Sequence, residues 1–304
     1  MKLTCLVDNA VQPSSGFWGE HGLAYLVEAD GQRILFDTGQ SGTVLLHNLK
    51  LLGIDPVTID AVAISHGHYD HTGGLPALLG LLRPGIPLFA NLDLFRERFA
   101  QRDGPPKYIG LPLSREELVG RLTLKLSAAP QEIVPGVWTT GEISERAEFE
   151  GRSKGHLMAA EGELVADAYR DDIALVLLAG DRLALLCGCC HAGLLNTLAH
   201  VKRTFPQPVA LMPACAASTM PAIWPPDRYQ DRTYTGLSAA AQTDDFQDTP
   251  AACWAAPTST DSTSWPSLAT AHIVGSAMAL SDSHNPGDVE YRITWTYWAL
   301  RTQR

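Results

Sequence analysis

Three histidines and a carboxylate fall within six positions, His66, His68, Asp70 and His71, inside the stretch Ser65-His66-Gly67-His68-Tyr69-Asp70-His71-Thr72-Gly73-Gly74. Imidazole and carboxylate are ligands for zinc or iron, and the i, i+2 spacing in an extended loop lets the rings of His66 and His68 converge on one ion. Asp70 and His71 then face a second. Gly67, Gly73 and Gly74 are expected to allow the crowded path through left-handed or strained backbone. The chain holds only 10 histidines, so H-x-H-x-D-H directly after a strand-like run is a specific signal for a metal site.

The flanking sequence supplies elements to position that loop. Leu3 to Val7, Leu23 to Glu28 and Arg33 to Phe36 read as the strands of a meander, with a turn at Asp30-Gly31. Val44 to Leu52 has apolar residues at helical spacing and stops at Gly53. Ile59 to Ile64 is a buried strand, the polar cluster Ser65 to Gly74 a loop, and Leu75 to Leu82 a helix. Further strands are expected at Pro87 to Ala90, Leu122 to Leu126 and Gly136 to Thr140, with a helix at Asp93 to Gln101. Ile173 to Leu178 and Arg182 to Cys187 flank Ala179-Gly180-Asp181 as a hairpin, followed by a loop and a helix over Gly193 to Lys202. A mixed α/β fold is the simplest account.

Composition narrows the class. A length of 304 residues fits one large domain or two modest ones, and 45% hydrophobic with 18% charged residues is ordinary for a folded chain. Lys and Arg total 23 against 33 Asp and Glu, a net charge of -10, which disfavours non-specific nucleic-acid binding. The longest apolar runs are strand-sized, far below the roughly 20 residues of a membrane span, and the first residues lack the pattern of a secretory signal. A cytoplasmic protein with a small-molecule substrate and no membrane or nucleic-acid partner is expected. Six cysteines are too sparse for a disulfide framework. Cys187, Cys189 and Cys190 are read as small buried hydrophobes in preference to thiolate ligands.

The H-x-H-x-D-H loop resembles that of the metallo-β-lactamase superfamily, and Ile34-Leu35-Phe36-Asp37-Thr38-Gly39 is similar to its first motif. Glu20-His21-Gly22-Leu23, Gly141-Glu142-Ile143, Asp171-Asp172-Ile173-Ala174-Leu175 and Gly188-Cys189-Cys190-His191-Ala192-Gly193 narrow the likeness to the 7,8-dihydropterin-6-methyl-4-(β-D-ribofuranosyl)aminobenzene-5'-phosphate synthase-like subfamily, over about residues 1 to 210. The resemblance implies an α/β fold, an αββα sandwich carrying one or two ions, zinc with iron or manganese as the other choices. It implies metal ligation by His66, His68 and His191 at one ion and by Asp70 and His71 at the other. Asp37 is then a support for the metal loop through hydrogen bonds and not a ligand. Glu20 and His21 either line the mouth or belong to a solvated loop. Asp171 and Asp172 precede a buried strand, where either one of them donates its carboxylate near the metals or both are turn residues, and they are left out of the ligand set.

The likeness breaks further along. The family's later histidines have no counterpart, since no histidine stands between His200 and His272, and 213–270 is rich in Ala, Ser, Thr and Pro without lysine or persistent periodicity. Loss in patches points to paired shifts of reading frame around 212–226 and 238–270; the alternative is divergence, with Cys215, Cys253 or His272 completing a site. Residues 271–304 regain strand character and are expected to close the sheet within a single 1–304 domain.

The expected function is that of a metal-dependent hydrolase-like enzyme using a metal-activated water, oriented by Asp70 as the catalytic residue, or of the subfamily's synthase. A rival from another class is a fold-retaining pseudoenzyme that serves as a ligand-binding module. A nuclease is disfavoured by the acidic balance and the lack of a basic patch.

Overall fold

Apolar runs without polar alternation make strands that need cover on both faces. The computed structural model describes residues 1–211, apart from 10, 12, 13, 148, 149 and 154, together with 277–279. In chain order the strands are β1 (Lys2–Val7), β2 (Ala24–Ala29), β3 (Gln32–Phe36), β4 (Ala61–Ala63), β5 (Pro87–Ala90), β6 (Arg98–Ala100), β7 (Lys107–Tyr108) and β8 (Thr123–Leu126). They continue as β9 (Glu132–Val134), β10 (Val137–Thr139), β11 (His156–Ala160), β12 (Glu163–Ala166), β13 (Ala174–Ala179), β14 (Arg182–Cys187), β15 (Val209–Leu211) and β16 (Ala277–Ala279). The helices are α1 (Gly42–Leu51), α2 (Tyr69–Thr72), α3 (Leu75–Leu78), α4 (Arg115–Val119) and α5 (Leu194–Thr204).

A seven-stranded sheet runs β16-β1-β2-β3-β4-β5-β8 and a five-stranded one β15-β14-β13-β10-β9. Side-chain alternation sorts each strand's residues into layers. Ile34 and Phe36 of β3 face Leu175, Leu177, Ala184 and Leu186 of the second sheet in the central core. Leu35 points the other way, among Leu45 and Leu49 of α1, Leu75 and Leu78 of α3 and Leu118 of α4. On the far side, Ala174, Val176, Leu183 and Leu185 pack against Leu194, Leu198 and Val201 of α5. The result is helix, sheet, sheet, helix, the expected αββα order. β1, β2 and β3 form the antiparallel meander, while β3, β4, β5 and β8 pair in parallel. Among the described residues, no helix is long and apolar enough to cross a membrane.

Several local expectations are corrected. Asp93 to Gln101 is not a helix: a turn leads into β6, which pairs with β7 and β11 in a small sheet of order β12-β11-β6-β7. Phe95 and Phe99 stand four apart, at helical spacing, but Arg98 is fully buried against carboxylates from distant segments, and that pairing overrides local periodicity. The Ser65 to Gly74 loop contains the one-turn helix α2, and α3 stops at Leu78, two residues before Gly80. Gly73 and Gly74 have ordinary negative φ values of -67° and -79°, and Gly67 is not left-handed either. These glycines answer a need for space, not for unusual dihedrals. The segment 213–270, with Cys215 and Cys253, and His272 beyond it lie outside the described residues. Of the closing stretch, β16 lies within them and pairs antiparallel with β1.

The need for space is testable. A Cβ on Gly73 would collide with the backbone carbonyl of Gln40, which has no flexible end to yield, whereas one on Gly80 would meet nothing. Gly73→Ala is expected to cost about 1–3 kcal/mol through overpacking. Gly80→Ala should stay within about 0.5 kcal/mol. Urea unfolding of the two variants checks this, and equal midpoints would contradict it.

Candidate metal centre

Both large sheets end strands at one edge, and the chemistry sits there. β3 runs into Asp37, β4 into Ser65 and His66, and β14 into Gly188, Cys189, Cys190 and His191, while Asp171 and Asp172 precede β13. The Ile173 N–H donates to the Ser65 carbonyl at 2.9 Å and stitches the sheets together. Gly188 passes so close that a Cβ there would collide with the Ser65 hydroxyl.

Asp37 orients two of the histidines. Its backbone is left-handed, φ 60°, a conformation that Asp tolerates better than most residues. Oδ1 accepts the Ser65 N–H at 2.7 Å, and Oδ2 lies 2.7 Å from both the Ser65 hydroxyl and His71 Nδ1. The Ser65 Oγ stands 2.9 Å from His66 Nδ1 in turn. With their Nδ1 atoms held from behind, His66 and His71 turn Nε2 into the cluster.

The converging atoms form overlapping groups of His66, Cys189 and His191, of His68, His156 and His191, and of Asp70, His71 and Cys189, each within 4.8 Å. His66 Nε2 and His68 Nδ1 are 3.1 Å apart. Two nitrogens on one tetrahedral zinc, at about 2.0–2.1 Å each, stand roughly 3.3 Å apart. His71 Nε2 lies 3.4 Å from Asp70 Oδ2 and 3.0 Å from Cys189 Sγ. Among the described residues, the Nε2 atoms of His68 and His191 are buried without a hydrogen-bond partner. Buried nitrogens left unpaired cost free energy that a cation would recover, so these residues fit a metal.

Charge divides the cluster in two. Burial holds the imidazoles of His66 and His68 well below their usual pKa, helped by neighbouring histidines, and takes His191 down to about 3. Neutral imidazole is the form that binds metal. Burial also acts to lower His71, but Cys189, Asp70 and Asp37 outweigh it and hold that ring well above the usual range. Asp70 is kept ionised far below the usual carboxylate range, since His71, His68 and His21 outweigh its burial. The half built on Asp70, His71 and Cys189 thus carries an excess of acceptors around one ring, an arrangement that a cation completes.

All of the proposed ligands His66, His68, Asp70, His71 and His191 lie at this edge, each less than a tenth exposed. His191 approaches both His66 and His68, with ring centroids 4.7 and 4.8 Å away. His21 stands at the mouth, Nε2 3.3 Å from Asp70 Oδ2, whereas Glu20 turns away and accepts from the backbone and hydroxyl of Ser41 at the start of α1.

Three readings change. Cys187 and Cys190 pack as small side chains near α5, but Cys189 joins His71 and belongs with the candidate ligands. Its signal was its place two residues before His191 in the same loop. Asp171 stands in a turn, as expected, closed by the Asp172 N–H on the Tyr169 carbonyl at 3.3 Å, but both aspartates are buried, Asp171 accepting the Gly67 N–H at 2.7 Å and Asp172 the Ala192 N–H at 2.6 Å. They leave the ligands to others and hold the two histidine loops. His156, at the start of β11, was not foreseen, because no local pattern announces that strand; Tyr169 Oη holds its Nδ1 at 3.0 Å.

Comparison with known proteins agrees with this fold. The family model described as Metallo-beta-lactamase superfamily matches residues 18–157. Over 209 residues the chain is 34% identical to a 7,8-dihydropterin-6-methyl-4-(beta-D-ribofuranosyl)-aminobenzene-5'-phosphate synthase of Methanocaldococcus jannaschii, covering 64% of this chain and 70% of that protein. A solved structure described as a metal-dependent hydrolase of the beta-lactamase superfamily is 28% identical, with a TM-score of 0.59 over 70% of this chain and 75% of the other. A shorter likeness, 43% over 58 residues, joins 19% of this chain to 14% of a Thermus thermophilus ribonuclease.

Asp37→Asn probes the support of the cluster without disturbing its backbone, because asparagine also tolerates the left-handed region. The variant should fold, and its zinc affinity should fall roughly 10–100-fold. Competition against a chromophoric chelator measures this. Wild-type affinity would remove Asp37 from the support of His71.

Proposed function

This chain belongs to the metallo-β-lactamase superfamily, and on that footing we propose that it is a metal-dependent, hydrolase-like enzyme working at the cluster between the two sheets. The observation that carries the reading is the convergence of His66 Nε2, of His68 Nδ1 3.1 Å from it, and of the neighbouring His191, whose buried Nε2 has no hydrogen-bond partner among the described residues. His66, His68 and His191 would hold one ion, with His156 adjacent; Asp70, His71 and Cys189 would hold a second. Zinc suits such nitrogen, sulfur and carboxylate donors, with iron or manganese as the other choices. When bound, such an ion supplies Lewis acidity toward a carbonyl or phosphoryl oxygen and a more acidic water.

The chain's own groups do the rest. Asp70, ionised and reaching the mouth, accepts a hydrogen bond from a water and orients it, with His21 on its outer side. Tyr169 fixes the His156 ring through Nδ1 and stacks on His191 at 4.6 Å and 7°, limiting rotation of both. Burial of the cluster keeps bulk water from competing for these contacts.

The 34% identity to the synthase supports a second reading, in which the same cluster serves formation of that pterin compound. A metal-loaded preparation tested on carboxylic esters, lactones and phosphodiesters separates the two. Turnover that is lost on chelation and restored by zinc supports the hydrolase; no turnover of any class favours the synthase. Metal content tests both against a ligand-binding module. About two ions per chain after zinc supplementation is the expected result, and none would leave only the module. Replacing His66 and His68 together with alanine should remove most of that metal by elemental analysis, since two proposed donors are lost. Unchanged stoichiometry would overturn the assignment.

A further inference from the structure

The most buried large side chain near the site is a cation. Arg98 is wholly inaccessible, which is rare for arginine unless it is paired. Five oxygens surround its three guanidinium nitrogens. Nε donates to Asp167 Oδ2 at 3.1 Å, Nη2 to Asp93 Oδ2 at 3.1 Å, and Nη1 to the carbonyls of Asp93 and Arg96 at 3.2 and 3.0 Å. Nη2 also lies 2.7 Å from Asp171 Oδ1, an ion pair outside good hydrogen-bond alignment.

Two of those carboxylates lead to the histidines. Asp171 uses its other oxygen to accept the N–H of Gly67, between His66 and His68. Asp167 uses its other oxygen to accept the N–H of Tyr169 at 2.7 Å, pinning that residue at φ 46°, where its ring stacks on His191 and its hydroxyl meets His156. The strand carrying Arg98 also pairs with that of His156, Met158 opposite Arg98 and His156 opposite Ala100. A planar fork with fixed donor directions can hold two carboxylates at set positions, which a single ammonium cannot.

We propose that Arg98 is a positioning residue for the metal cluster, setting the Gly67 loop through Asp171 and the Tyr169–His191 stack through Asp167 with one buried guanidinium. The inference rests on the reading that these histidines hold a metal. Nothing in it requires Arg98 to touch metal or substrate. Without the fork, the two histidine-bearing arms lose their common reference, and the donor nitrogens no longer meet at one point.

Cobalt(II) titration of the full-length chain tests it, because the visible d–d bands report ligand geometry independently of turnover. The variants are Arg98→Lys, which keeps the charge but not the fork, and Asp167→Asn, which keeps the shape but weakens one arm. Arg83→Lys, at an exposed ion pair with Asp60, is the control. Arg98→Lys should bind cobalt at least tenfold more weakly than wild type, with shifted and weakened bands, while its circular dichroism stays native. Asp167→Asn should lose affinity a few-fold with a changed spectrum, and Arg83→Lys should match wild type. A folded Arg98→Lys with wild-type affinity and bands overturns the proposal. If Arg98→Lys does not fold, wild-type binding and bands in Asp167→Asn overturn it. Wild-type protein that takes up no cobalt overturns this inference and the metal reading together, whereas wild-type uptake with unaltered variants defeats this inference alone.

Discussion

The buried Asp37 carboxylate is the constraint on which the site depends. Its two oxygens accept from the Ser65 backbone and hydroxyl and meet His71 Nδ1, so one side chain at the end of β3 sets the loop leaving β4 and the face of a ring within it. A carboxylate without exposure is costly unless it is fully engaged. Here the engagement defines which nitrogen of His71 faces Cys189 and, through Ser65, which nitrogen of His66 faces His68. The sandwich brings this about because β3 and β4 are parallel neighbours whose C-terminal ends lie side by side.

The second sheet answers with matching devices. Asp171 and Asp172 stand just before β13, reach past the strand ends and take backbone N–H groups of Gly67 and Ala192. Burial raises both carboxyls, Asp171 to about 6 and Asp172 to about 7, against the N–H groups and nearby guanidinium groups that pull them down. Each of these two residues uses Oδ2 to hold a loop. Among the described residues, His68 and His191 each bury a nitrogen with no hydrogen-bond partner. Buried polar atoms without partners gathered at one edge of the sheets mark a binding site within a packed core.

Packing and electrostatics act on the same few residues. The αββα core covers the strands of the two large sheets, and at the strand ends glycine is used where neighbouring backbone or side chains leave no room. Gly73 lies against Gln40 and Gly188 against Ser65. The resulting closeness excludes water, which leaves the imidazoles of His66, His68 and His191 neutral and makes the partners of His71 count for more.

Local sequence determined what depends on near neighbours. The H-x-H-x-D-H loop, the meander, the hairpin after Asp172 and the helices after Ser41 and Gly193 all announce themselves through spacing, turn residues and apolar runs, because the forces that form them act over a few positions. Asp37 and His191 came from resemblance to a family, since a lone Asp or His after a strand has no distinguishing local pattern. Tertiary structure alone decided the rest. Cys189 reads as a small apolar side chain until the fold carries it across 118 positions to His71. Asp171 reads as a turn residue and is one, but only the fold brings its carboxylate to Gly67 across 104 positions. The stretch around Arg98 reads as a helix, yet it forms a strand, because a buried guanidinium needs carboxylates and only distant segments supply Asp167 and Asp171. Long-range pairing of charge and of hydrogen-bond donors leaves no periodic trace in a single chain, which is why the ligand loop was legible and the scaffold that aims it was not.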